Sequence, residues 1–222
     1  MFVILRLLVF PLENEGNFIA ILAGIIGTTA LIITSCLFGS YLSQAIKRLP
    51  ELIPVCSVAF MVDIYSVFKG PSKEIALQIG KFYGDGAKGR VPFADILLLK
   101  IPNPSVEYLI PVFGVSDWIF IVFLSSVMLK FKISDSIIGK DLKDVVDFPK
   151  VQLYFPLVSF GLLVSILTAY LLNSFVPALP IILIIVLPWL IFNNRTLFKM
   201  RRNECFLTLI PLVFVCIFFF YS

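Results

Sequence analysis

The sequence predicts an all-α fold, a polytopic transmembrane helical bundle of about six spans, or seven if the N-terminal segment also crosses. Two observations carry this expectation. The chain is 59% hydrophobic and 14% charged, with 23 Phe and a mean hydropathy of +1.02, whereas a soluble globule covers its surface with roughly 25% charged residues. Several apolar runs also reach the ~20 residues needed to cross a hydrocarbon core ~30 Å thick. The net charge of +4 comes from residues flanking those runs. That is the ordinary pattern of loops beside anionic headgroups, so the implied partner is the lipid bilayer and not nucleic acid.

Taken in order, residues 1–17 form an apolar, interfacial N-terminal segment. Its first twelve residues carry one Arg and run into Pro11-Leu12-Glu13 without a small-residue cleavage site, unlike a signal peptide. Residues 18–192 form the membrane domain, with runs near 18–46, 52–69, 108–129, 153–174 and 176–192. Residues 193–222 add a C-terminal transmembrane helix near 205–221. The first run, roughly 40 Å long at the helical rise, must tilt or emerge from the bilayer. Its Ala20, Ala23, Gly24 and Gly27 suit close helix packing.

The longest polar connection, 70–107, opens with Gly70-Pro71, which stops the preceding helix. Ile75, Ile79 and Phe82 then recur at helical spacing and predict a short amphipathic helix on the membrane surface. Gly84-Asp85-Gly86-Ala87-Lys88-Gly89 lacks the Lys-Ser/Thr ending of a phosphate-binding loop and reads as a flexible turn. The apolar stretch from Ala94 to Ile101, bounded by Pro92 and Pro102, is too short to span and suits a strand or a re-entrant segment.

Histidine is absent, which removes Ser-His and Cys-His nucleophile systems and the HExxH zinc site. The four cysteines, Cys36, Cys56, Cys205 and Cys216, sit in apolar runs without CxxC spacing and read as buried thiols. No metal or cofactor is implied. What stands out is acidic. Of fourteen acidic residues, two, Asp63 and Asp117, lie inside the apolar runs, and neither has a Lys or Arg beside it. Ionisable groups at bilayer depth are costly and mark functional sites. Two of them suggest a pair that shares a proton.

Connectivity limits what can meet. Asp63 precedes Lys69 by six residues, about 9 Å of helix. Asp117 follows Glu107 by ten, about 15 Å if the helix begins there. Both depths are measured from the face bearing the 70–107 connection. The short turn near Asn173-Ser174 falls on that face too, followed by Val176-Pro177-Ala178-Leu179-Pro180. Two prolines in the first turn of a span leave backbone groups free, which is tolerated beside protein or water.

At Asp63, at Gly114-Val115-Ser116-Asp117 and at Pro177-Ala178-Leu179 the chain resembles the intramembrane aspartyl proteases of the presenilin and signal peptide peptidase family. That family places one aspartate in Tyr-Asp, the second in Gly-x-Gly-Asp on the next helix, and Pro-Ala-Leu at the start of a later helix. Here Pro-Ala-Leu matches in full and in order, whereas Val62 stands before Asp63 and Ser116 stands for the second Gly. The family usually has nine spans, so its early helices would be missing and the run at 205–221 would be an addition.

The resemblance covers residues 18–192 and implies a presenilin-like catalytic core. In it Asp63 and Asp117 are catalytic, and Gly114, Val115, Ser116, Pro177, Ala178 and Leu179 contact a transmembrane peptide substrate. Two other readings use the same acids: a non-catalytic member keeping the scaffold, and an ion- or proton-coupled transporter. Lys and Arg number eleven on one side by connectivity (46–51, 130–150 and 193–204) and seven on the other (residue 6 and 69–100). The positive-inside tendency then turns the acids toward the exterior or lumen. By resemblance, this is the signal-peptide-peptidase orientation. Nothing in the sequence fixes an oligomeric state.

Overall fold

The fold is that of a computed structural model, which describes residues 18–86, 91–102, 109–133, 156–172, 177–193 and 213. The described residues form six α-helices and one β-hairpin. In chain order they are α1 (Phe18–Ala45), α2 (Leu52–Phe68), α3 (Pro71–Gly84), β1 (Leu98–Pro102), β2 (Leu109–Gly114), α4 (Val115–Lys130), α5 (Leu157–Leu172) and α6 (Ala178–Asn193). Two stretches, Gly24–Ala45 and Leu49–Val67, are helical, long and apolar enough to cross a membrane, while Leu157–Leu172 and Ala178–Asn193 are apolar and shorter. The expected interfacial segment 1–17 and the expected helix at 205–221 lie outside the described residues, Val213 excepted.

Several hydroxyl groups of these apolar helices are satisfied locally. Thr29 and Thr34 donate to the carbonyls of Ile25 and Ala30 at 2.8 Å, and Ser35 to that of Leu31 at 2.6 Å. Each hydroxyl thereby reuses a carbonyl one turn back and asks nothing of its surroundings. Between α1 and α2 a short 3-10 turn, Leu49–Glu51, is closed by Glu51, whose Oε2 accepts from the amides of Lys47 at 2.8 Å and Arg48 at 3.2 Å. At the far end of α2 the amides of Lys69 and Gly70 both donate to the Tyr65 carbonyl at 3.0 Å. A Cβ at Gly70 would stand 2.7 Å from Ser66 Cα, so glycine is required there, and Pro71 begins α3 where its missing N–H costs nothing.

The described residues divide into two compact units, one drawn from Met1–Tyr41 and Pro71–Val122, the other from Leu42–Gly70 and Phe123–Ser222. In the first unit the amphipathic helix expected from Ile75, Ile79 and Phe82 is present as α3. It buries Ala76, Ile79 and Phe82 and leaves Ile75 exposed. The stretch expected as a strand or re-entrant segment is a 3-10 turn, Phe93–Leu97, followed by β1. β1 pairs antiparallel with β2, with Leu98 opposite Gly114 and Pro102 opposite Leu109, and a bulge falls between Leu99 and Lys100.

This hairpin corrects the sequence reading at one place. The run near 108–129 was expected to be helical throughout, yet Leu109–Gly114 is a strand and the helix begins at Val115. Asp117 is therefore in the first turn of α4, not ten residues inside a helix. Pro111 explains part of the change, because within a helix it would remove a hydrogen bond and clash with the preceding turn.

In the second unit α5 packs on α6, and α2 also packs on α6. Gly161 permits the first contact: a Cβ there would lie 3.2 Å from Ile182 Cα. Leu157, Val158, Ile182, Leu183, Val186 and Leu190 form the buried seam. Lys130, at the end of α4, donates from Nζ to the carbonyls of Ser43 (3.2 Å), Gln44 (3.1 Å) and Ile46 (2.6 Å). An ammonium has three protons, and these three acceptors use them all at the C-terminal end of α1, where carbonyls lack helical partners and a cation opposes the dipole.

Candidate functional site

The start of α6 is short of hydrogen-bond donors. A helix leaves its first four amides without intrahelical partners, and here those positions are Pro177, Ala178, Leu179 and Pro180. Two are prolines and carry no N–H. Of the two amides left, that of Leu179 donates to the Asp63 carboxylate. Asp63 belongs to the fourth turn of α2, so a residue well inside one apolar helix reaches the N-terminus of another. The positive end of the α6 dipole faces the carboxylate. Leu179 and Pro180 are buried, and Pro177 and Ala178 are half-buried. Oδ2 of Asp63 is itself buried and has no hydrogen-bond partner among the described residues. One oxygen is thus anchored and the other is available.

The second aspartate has a different setting in the other unit. β2 ends at Gly114 and α4 begins at Val115 without a linking residue. Asp117 then lies in the first turn, where amide dipoles favour a negative charge. Asp117 is half-buried and Ser116 exposed. A Cβ at Gly114 would sit 3.4 Å from Ser116 Oγ and 3.6 Å from Asp117 Oδ2, ordinary contact distances that place this residue against the carboxylate. Trp118 stacks on Phe113 with ring centroids 5.8 Å apart and planes at 27°, which ties the first turn of α4 to the last residues of β2.

Asp63 and Leu179 are thus brought together in one unit, with Pro177 and Ala178 beside them, and Gly114, Val115, Ser116 and Asp117 in the other. Cys36 and Cys56 are free thiols, Cys56 buried, while Cys205 and Cys216 lie outside the described residues. No group of His, Cys, Asp and Glu able to hold a metal ion occurs among the described residues. Sequence reasoning missed a buried cluster in the 70–107 connection. Asp95, wholly buried, forms an ion pair with buried Lys100 and accepts a 2.7 Å hydrogen bond from the Tyr83 hydroxyl. A buried charge needs such a partner, so an Asp and a Lys within an apolar stretch between prolines were the available signal.

Comparison with protein families, with curated proteins and with solved structures gives no match to this chain.

Proposed function

We propose that the chain is an intramembrane aspartyl endopeptidase of the presenilin and signal peptide peptidase type, with Asp63 and Asp117 as its catalytic dyad. The observation that carries this reading is the hydrogen bond from the Leu179 amide to Asp63. It joins the candidate acid to the Pro-Ala-Leu sequence, and neither local composition nor chain proximity requires that contact. The reading takes the chain to be a multi-pass bundle of about six spans and the two acids to work as a pair. The Lys130 contacts support its topology. They put the end of α1 and the end of α4 at one level, as alternating spans with connections at 46–51 and beyond 130 require.

In the mechanism, one carboxylate is ionised and takes a proton from water while the other, protonated, polarises the scissile carbonyl. The attacking oxygen bonds to the carbonyl carbon, and the protonated acid then delivers its proton to the leaving amide nitrogen. The pair titrates as a unit, so neither role belongs to one residue. A substrate helix must unwind locally to expose its peptide bond. The open backbone at Pro177 and Ala178 suits an extended substrate segment. The active face is exterior or lumenal, and the substrates are transmembrane segments of other proteins.

A second reading draws on the same hydrogen bond. Asp63 can serve only to anchor the start of α6, in a non-catalytic protein. Cleavage of a reporter transmembrane peptide by purified protein separates the two. The protease reading expects cleavage by the parent and none by Asp63→Ala or Asp117→Ala. It is lost if both variants cleave like the parent.

A further inference from the structure

A two-stranded hairpin is marginal alone in water, and this one is weaker than most. Pro102 in β1 and Pro111 in β2 donate nothing to the ladder, and the register jumps between Leu99 and Lys100. Val112 is the extra residue, since Leu99 faces Phe113 while Lys100 faces Pro111. Bulges re-aim side chains, and Lys100 is the first β1 residue past this one. Its side chain is 4% exposed and is paired with an Asp95 side chain that is 0% exposed. Asp95 belongs to the 3-10 turn and Tyr83 to α3, so three elements meet at one carboxylate. Ile79, Phe82, Ile96 and Leu99, from the same elements, are also buried.

We infer that Tyr83, Asp95 and Lys100 form a latch that fixes the register of β1 on β2, and through it the start of α4 where Asp117 stands. The inference rests on the reading of Asp117 as a catalytic acid, with the three latch residues as positioning residues. A buried ion pair adds little net stability compared with apolar packing, and its best-attested use is to select one register. A one-residue slip would turn Lys100 to the opposite face of the hairpin and separate it from Asp95. Because Gly114 pairs with Leu98 and Val115 already begins the helix, the same slip would displace the first turn of α4. The strand meets the helix at Gly114 with no linker after it.

Backbone hydrogen exchange in lipid bicelles tests the latch without reference to activity. Tyr83→Phe keeps the ring and removes one hydrogen bond. The double variant Asp95→Asn/Lys100→Met removes both charges, so that neither is left unpaired. Both are expected to raise exchange about tenfold across 98–102 and 109–114 while 52–68 stays protected, a local opening and not global unfolding. Unchanged exchange in the strands, or an equal rise along the whole chain in Tyr83→Phe, overturns the latch.

Activity supplies the second readout. Displacing one acid of a proton-sharing pair weakens their coupling, so the bell-shaped pH profile of cleavage narrows in Tyr83→Phe. An unchanged width with opened strands removes the link to Asp117. If Asp63→Ala and Asp117→Ala both cleave like the parent, the protease reading fails, while the exchange data still decide the latch.

Discussion

The amide of Leu179 holds one oxygen of Asp63 while the other, Oδ2, is buried without a hydrogen-bond partner among the described residues. A carboxylate held in this way is positioned by the helix it faces. Its chemistry is left to the second oxygen.

Two substitutions at Asp63 separate position from chemistry. Asparagine retains an acceptor for the Leu179 amide, so Asp63→Asn should unfold in detergent close to the parent. Asp63→Ala leaves that amide unpaired and should cost about 1–3 kcal/mol. Both should lose cleavage of a reporter transmembrane peptide. Asp63→Asn with parental activity would leave only the anchoring role.

Cleavage should follow a bell-shaped pH dependence. At low pH both carboxylates are protonated and no base remains, and at high pH both are ionised and no acid remains. Initial rates on the reporter across pH, with folding followed in parallel by circular dichroism, check this. A single sigmoid would show that only one of the two acids takes part.

Gly161→Ala places a methyl group 3.2 Å from Ile182 Cα, and backbone yields less readily than a side chain. The expected loss is about 1–3 kcal/mol, read as a lower midpoint in denaturant titration. Cleavage should fall as well, because α6 carries Leu179.

Lys130→Met keeps the stem and removes the ammonium from three carbonyls at the end of α1. About 1 kcal/mol of stability should be lost, with faster amide exchange after residue 42. Gly70→Ala should be worse tolerated, since its Cβ would lie 2.7 Å from Ser66 Cα. Expression and thermal midpoint of the purified variants measure both.

The boundaries of α1, α2, α5 and α6 were legible in the sequence to within a few residues, because each is an apolar run ended by polar or proline-bearing chain. The pairing of Asp63 with the Pro177-Ala178-Leu179 segment was foreshadowed by topology. The strand at Leu109–Gly114 was not legible as such. Leu-Ile-Pro-Val-Phe is as apolar as the helix after it, and periodicity does not distinguish a short buried strand from a helical turn. Pro111 was the clue, since it cannot sit quietly inside a helix. The Tyr83–Asp95–Lys100 cluster was hidden for another reason. Its members meet through a bulge and a 3-10 turn, irregular geometry that no periodic pattern announces.

The two prolines that bracket Ala178 and Leu179 set a limit on the company α6 can keep. With the Leu179 amide committed to Asp63, Ala178 supplies the one remaining main-chain donor in that opening turn. Whatever docks there must be satisfied with a single handhold, so recognition at this end of the helix would be permissive in sequence and demanding in shape.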